Sequence, residues 1–144
     1  MSDNKPSPTL DSHSLRKDRV RLVYLLKRRK DMTHEEFTNC WLNDHSKVFV
    51  NSRVAHQYTL RYEQIHVSPA TLKAWSEKYG IPARTYDGVA LLEADSFEDL
   101  QKVLDSTEYK THIGPDEHNF IDHENSQMIP MNYWAGVDHT KAKM

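Results

Sequence analysis

The chain has 144 residues, 38% hydrophobic and 28% charged, and its 19 basic and 21 acidic side chains leave a formal net charge of −2. That length and balance suit one globular domain with one modest core, and exclude a disordered chain. The charges are well mixed, with no basic stripe to suit nucleic acid or an anionic membrane, and a lone cysteine, Cys40, excludes an intrachain disulfide and a thiolate zinc cage.

Residues 1–18 carry Pro6 and Pro8 among polar side chains and read as a flexible arm. Without an apolar segment there, a signal peptide finds no support, and the expected home is the cytoplasm. The four glycines, Gly80, Gly88, Gly114 and Gly136, form no phosphate-cradling run, so neither ATP nor a nicotinamide is expected.

The segment from Arg19 to Arg28 is rich in strand formers. Val20, Leu22, Tyr24 and Leu26 fall on one side and Val23 and Leu25 on the other, as in a strand covered on both faces. Thr33 followed by Glu36 is a capping box that opens a helix. Phe37, Cys40, Trp41, His45 and Val48 then share one helical face.

From Val54 to His66 the pattern alternates, with His56, Tyr58, Leu60 and Tyr62 pointing one way, which predicts a second strand. Ser68-Pro69 opens a short helix through Leu72, Trp75 and Tyr79, and Gly80 ends it. Asp87 to Ala94 is the third strand. Ser96 caps a helix whose inner stripe is Phe97, Leu100, Val103 and Leu104. Thr107 to Asn125 reads as irregular and polar, and Gln127 to Ala135 as a closing strand whose Pro130 implies an edge position or a bulge.

The order β-α-β-(short α)-β-α-β predicts an α+β protein: a ferredoxin-like split β-α-β over a four-stranded antiparallel sheet. The domain spans residues 19–137, with 138–144 as a tail. Helices cover one face of such a sheet. The other face implies a second copy, hence a homodimer.

Several short motifs, in order, resemble the EthD family of the dimeric α/β-barrel superfamily. They are Leu25-Leu-Lys-Arg-Arg-Lys-Asp-Met, Thr33-His-Glu-Glu-Phe and Trp41-Leu-Asn-Asp-His45, then Tyr58-Thr-Leu-Arg-Tyr62, Tyr86-Asp-Gly-Val-Ala and Asp116-Glu-His-Asn-Phe-Ile-Asp122. The resemblance implies a dimeric α/β barrel with a pocket between sheet and helices. The helix motif and the stretch around Phe120 are most similar to fungal polyketide decarboxylases of the atrochrysone carboxylic acid type. Related barrels are dehydratases, cyclases and cofactor-free oxygenases, or noncatalytic binding and stress-response proteins, and fold alone does not choose among these.

His45 ends the helix motif and points along its apolar face. It is either a satisfied core histidine or a proton-transfer group whose pKa burial has moved. His112, Asp116, His118, Asp122 and His123 cluster in sequence, but their spacing fits no familiar metal site. His118, just before the apolar turn at Phe120, has the best claim among them to reach the pocket. Tyr58, sharing strand parity with Tyr62, is a third catalytic candidate. Tyr24, Trp41, Tyr62, His112, Phe120 and Tyr133 are the expected substrate-binding side chains, for aromatic side chains line pockets for flat phenolic ligands as readily as they fill cores. The reading that follows is a cofactor-free, metal-free lyase. It decarboxylates an aromatic or β-keto polyketide acid, with His45 as proton donor and Tyr58 or His118 positioning oxygen atoms.

Overall fold

The computed structural model describes residues 14–140. The arm expected over residues 1–18 therefore lies mostly outside the described residues, as does the end of the tail.

Four antiparallel strands form one sheet in the order β2-β3-β1-β4: β1 is Val20–Leu26, β2 Arg61–His66, β3 Gly88–Ala94 and β4 Gln127–Met131. That is the ferredoxin-like arrangement predicted from the element order. Cross-strand partners alternate faces, so Leu22 opposite Leu92 and Tyr24 opposite Ala90 look toward the helices, while Val23 opposite Leu91 looks the other way. β4 pairs with β1 alone, and Pro130 sits opposite Leu22 on that edge, where a missing N–H breaks no inner ladder.

The helical layer buries two apolar clusters against the sheet. Val20, Leu22, Phe49, Ala55, Leu92, Ala94, Leu100 and Ile113 form one, and Leu26, Phe37, Trp41, Ala90, Phe120 and Ile121 form the other. Helix α1, His34–Asn39, starts with the predicted reciprocal Thr33–Glu36 capping box. It passes into a π-helical turn over Cys40–His45, where the Ser46 amide bonds the Trp41 carbonyl, and then into α2, Ser46–Val50. The π turn lengthens each repeat, so the deeply buried positions step by four: Phe37, Trp41, His45, Phe49. Cys40 and Val48, expected on the same face, are only half-buried for that reason.

Three expectations fail locally: the closing strand stops at Met131 instead of running to Ala135, and two segments change type. The second strand begins at Arg61, because residues Arg53–Tyr58 form a helix, α3. The Ser52 side chain accepts from the Ala55 amide, and the Glu108 carboxylate, distant in sequence, accepts from the Arg53 and Val54 amides at 3.2 Å each. A carboxylate at a helix start overrides the alternating pattern. The segment read as irregular after Thr107 is also largely helical. A second π turn spans Tyr109–Ile113, α6 spans Gly114–Glu117, and a 3₁₀ turn spans His123–Asn125. Ser106 caps its start by accepting from the Tyr109 amide at 3.0 Å. Its buried side chains, Ile113, Glu117, Phe120 and Ile121, are masked in sequence by polar neighbours.

Between β2 and β3, helix α4, Pro69–Tyr79, buries none of its residues and ends at Gly80 with φ 71°, a left-handed conformation that suits glycine. Helix α5, Phe97–Leu104, buries Leu100 and Val103 beneath its Ser96 cap as predicted.

Candidate active site

Beneath the helices, where the two apolar clusters meet, a cavity of about 30 Å³ lies between the sheet and the two π turns. That is room for roughly one water molecule. Leu22 and Tyr24 of β1, Tyr62 of β2 and Ala90 of β3 form its floor, and Trp41, His45, Tyr109, Glu117 and Phe120 its roof. No lysine or arginine lines it.

The π turn delivers His45 into this space at 4% exposure, with its ring against Phe120. Nδ1 lies 2.7 Å from Asp116 Oδ2. A carboxylate only accepts, so Nδ1 carries the hydrogen and Nε2 is left as an acceptor. Among the described residues nothing hydrogen-bonds that Nε2. Burial pulls the His45 pKa below the ordinary value, and the hydrogen bond and charge of Asp116 only partly offset it. The imidazole is therefore neutral near pH 7, locked in one tautomer.

Glu117 follows Asp116 directly but faces elsewhere. It is 9% exposed, and its Oε2 accepts from the Tyr109 hydroxyl at 3.0 Å. Burial raises its carboxyl to about 7, opposed by the Tyr109 hydrogen bond and reinforced by the Asp116 charge. Burial likewise pushes the Tyr24 hydroxyl to about 12 and those of Tyr62 and Tyr109 upward, so all three remain neutral donors. The chamber thus holds a neutral base, a half-protonated acid and three phenols in an apolar shell. Such a set can exchange protons with a carbonyl compound at neutral pH.

The fold brings together Tyr24, Trp41, His45, Tyr62 and Phe120 of the expected residues. It separates the others. Tyr58 ends α3 rather than sitting beside Tyr62, with Lys102 Nζ 5.0 Å above its ring. His112 is exposed on the outer side of the second π turn. His118 is exposed with its ring tilted against that of His123, borders a surface bowl, and turns away from the cavity because the chain reverses between Glu117 and Phe120. Tyr133 lies beyond β4 under the Arg21 guanidinium, on the face of the sheet that carries no helix. Asp116, grouped in sequence with metal-ligand types, is instead the partner of His45, and among the described residues no three His, Cys, Asp or Glu side chains gather as a metal site. Cys40 is half-buried and its thiol is pushed up by burial, away from nucleophile duty. Glu117 and Tyr109 escaped the sequence reading. The i, i+4 stripe Tyr109, Ile113, Glu117 would have exposed them had the segment been read as helix.

No helix among the described residues is long and apolar enough to cross a membrane. The profile of the EthD domain matches residues 29–124. No curated protein matches the chain in sequence. Its fold is similar to that of a dimeric ferredoxin-like protein from Bacteroides fragilis, at TM-score 0.56 and 14% identity over 85% of this chain and 100% of that one. An ethyl tert-butyl ether D (EthD) family protein from Bacillus halodurans gives 0.53 and 16%, over 81% and 98%. A DABB family protein with a ferredoxin-like fold from Mesorhizobium loti gives 0.53 and 12%, over 83% and 98%.

Proposed function

The chain belongs to the EthD domain family, and from that premise we propose a cofactor-independent acid–base enzyme that decarboxylates an aromatic or β-keto polyketide acid. The observation that carries the reading is that His45, held by Asp116, and the buried Glu117, bonded by the Tyr109 hydroxyl, line one apolar chamber.

A β-keto or ortho-phenolic acid already contains its electron sink. On an ortho-phenolic acid, His45 Nε2 accepts the phenol's hydrogen bond or takes its proton and returns it to the phenolate oxygen once CO2 has left. On a β-keto acid, whose ketone oxygen has no hydrogen to give, the neutral phenols of Tyr24 and Tyr62 are the donors to the developing enolate oxygen. Asp116 holds the ring in place and stabilises the charge that would form on it. With no cation in the lining, a carboxylate there is poorly solvated, and losing it as CO2 relieves that destabilisation. The electron pair left on carbon collects the proton of Glu117. This inverts the role expected for His45: an imidazole whose Nδ1 hydrogen points at a carboxylate, and whose pKa is lowered, is an acceptor first.

The chamber is too small for a ring system, but it shares Leu22, Leu104 and Met128 with an outer groove of about 430 Å³ between α5 and β4. Phe97, Leu100 and Pro130 extend that groove, whose volume falls within the roughly 300–1,000 Å³ usual for small-molecule sites. We place the body of the substrate in the groove and its reacting end past Met128. The face of the sheet turned from the helices, with half-buried Val23, Leu25 and Ile129, is the surface on which we propose that a second copy packs. The compartment proposed is the cytoplasm.

The same base and acid favour a second reading, dehydration or cyclisation, in which His45 removes a proton from carbon and Glu117 protonates a departing hydroxyl. Incubation of the purified protein with a panel of aromatic and β-keto polyketide acids separates the two by product mass, loss of CO2 against loss of water. The His45→Ala protein should convert nothing. If neither protein changes any compound while both bind, a noncatalytic binding role replaces the proposal.

A further inference from the structure

Glu117 has two oxygens with different surroundings. Oε2 takes the Tyr109 hydroxyl inside the chamber, while Oε1 faces His123 Nε2 at 3.6 Å, on the way out. The His123 ring lies 4.4 Å from that of His118, and both border an open surface bowl with Arg29, Lys30 and Asp122. Arg29 does not compete for Glu117, because its guanidinium is held by Asp31 and by the His118 carbonyl. The chamber, at about 30 Å³, has no room for a file of waters to solvent. A reaction that ends by putting a proton on carbon consumes one proton per turnover, and this proton has to be brought in.

We propose that Glu117, His123 and His118 form a proton conduit between the chamber and the surface. The inference rests on the acid–base reading of the site. In one cycle the substrate carboxylate leaves as CO2, the electron pair on carbon takes the proton of Glu117, and a C–H bond replaces the Glu117 O–H bond. The carboxylate then draws a proton across the gap from Nε2 of a protonated His123. His123 regains one from water or buffer, directly or through His118. The sum is one solvent proton in and one CO2 out.

The 3.6 Å separation exceeds a hydrogen bond by a few tenths of an ångström, within reach of a small ring movement. His123 faces Glu117, His118 and Asp122; Glu117 faces His123, Tyr109 and Tyr24, with Asp116 beside it. Among the described residues, His123 is the ring that links Glu117 to the exposed His118 and to solvent. Burial and the His118 charge hold its pKa below the ordinary value, opposed by Asp122, which suits a carrier that releases its proton readily.

The test needs no substrate. A proton pulse from a photoacid is followed at the infrared carboxyl stretch of Glu117, assigned by its absence in Glu117→Gln. In His123→Ala the rise of that band should slow by about a hundredfold, the low end of what a positioned proton-transfer group supplies, and added imidazole should restore it. His118→Ala should slow it by less. An unchanged rate in His123→Ala overturns the conduit, as does slowing that imidazole does not rescue. His123→Gln serves as the second variant if thermal melts show that the alanine protein is unfolded. Because the readout involves no turnover, a conduit with no detectable decarboxylation would condemn the proposed reaction and not the relay; the reverse result would do the opposite.

Discussion

Two buried glutamates lie on opposite faces of the same sheet and meet opposite fates. Glu93, 2% exposed, points away from the helices and receives Arg21 Nε at 2.8 Å and Arg19 Nη1 at 3.2 Å. Burial pushes its carboxyl up, yet the hydrogen bonds and charges of Arg21 and Arg19 together outweigh that, and its pKa ends below the ordinary value. Glu117, 9% exposed under the helices, has a tyrosine for its hydrogen-bond donor and rises to about 7. Both carboxylates are nearly closed off from solvent, but Glu117 lies deeper among protein atoms, so depth and hydrogen-bond partner act together. A guanidinium, permanently charged, makes a fixed anion; a phenol, neutral, leaves the carboxyl able to gain and lose its proton. One glutamate is held as a fixed anion among arginines; the other is a carboxyl able to change charge near neutral pH, as the proposed reaction requires.

The sharpest way to break the contrast is to neutralise each glutamate in turn. Glu117→Gln should lower turnover by roughly a hundred- to ten-thousand-fold, the usual range for loss of a positioned acid, while the protein stays folded. Glu93→Gln should leave turnover of the folded protein within a few-fold of wild type. Equal activity losses in the two variants would erase the distinction.

Stability against pH distinguishes them without any substrate. The Glu117 carboxyl is raised when folded, so between its ordinary value of 4.5 and about 7 the folded state holds a proton that the unfolded state has released. Stability from this group therefore falls as pH rises through that window, by roughly 3 kcal/mol in all. His45 has the opposite sign. Its folded pKa is lowered, so below its ordinary value of 6.5 the unfolded state binds the extra proton, and stability is lost as pH falls. Glu93 also loses its contribution as pH falls, but lower, from below 4.5 down through its depressed folded value. Urea unfolding at a series of pH values should show Glu117→Gln gaining stability on wild type as pH climbs from 4.5 to 7. A parallel offset at all pH values would mean that Glu117 is not raised.

How far the sequence led follows from the same contrast between local and distant causes. Thr33 with Glu36, Ser96, Gly80 and Pro130 each act on the backbone within a few residues, and the elements they mark are where local chemistry put them. Apolar spacing brought five pocket residues into view, from Tyr24 to Phe120. What failed was set at long range. Alternation around His56 and Tyr58 said strand, but Glu108, about fifty residues on, caps a helix there. The polar surface of residues 107–125 concealed a buried stripe, and with it Glu117. His45 was legible, yet its hydrogen-bond partner was not: Asp116, 71 residues further along, meets Nδ1 only in the fold.

A smaller effect tests the structural half of the comparison. Glu93→Gln keeps the shape but swaps a charged acceptor for an amide, so it should destabilise by about 2 kcal/mol at pH 7, the range for hydrogen bonds to charged groups. The arginines it leaves behind are a third or more exposed and can be hydrated, which keeps the loss below that of a stranded buried ion. Chemical denaturation at pH 7 measures it.

The finest distinction lies between the two arginines that fix Glu93. Arg21 is the better held: its Nε bond is 2.8 Å against 3.2 Å for Arg19, and its guanidinium lies 3.8 Å over the Tyr133 ring, sandwiched between carboxylate and aromatic. Arg19 is 43% exposed at the side chain against 34% for Arg21, so solvent screens more of its attraction. Arg21→Ala should therefore cost about 1–2 kcal/mol and Arg19→Ala less than about 1 kcal/mol. Coupling of each to Glu93 in a double-mutant cycle should rank the same way, and only the Arg21 coupling should shrink when Tyr133→Leu removes the ring beneath it. Equal couplings would mean that charge alone, without geometry, pins Glu93 as an anion. The contrast with Glu117 would then reduce to the presence or absence of any nearby cation.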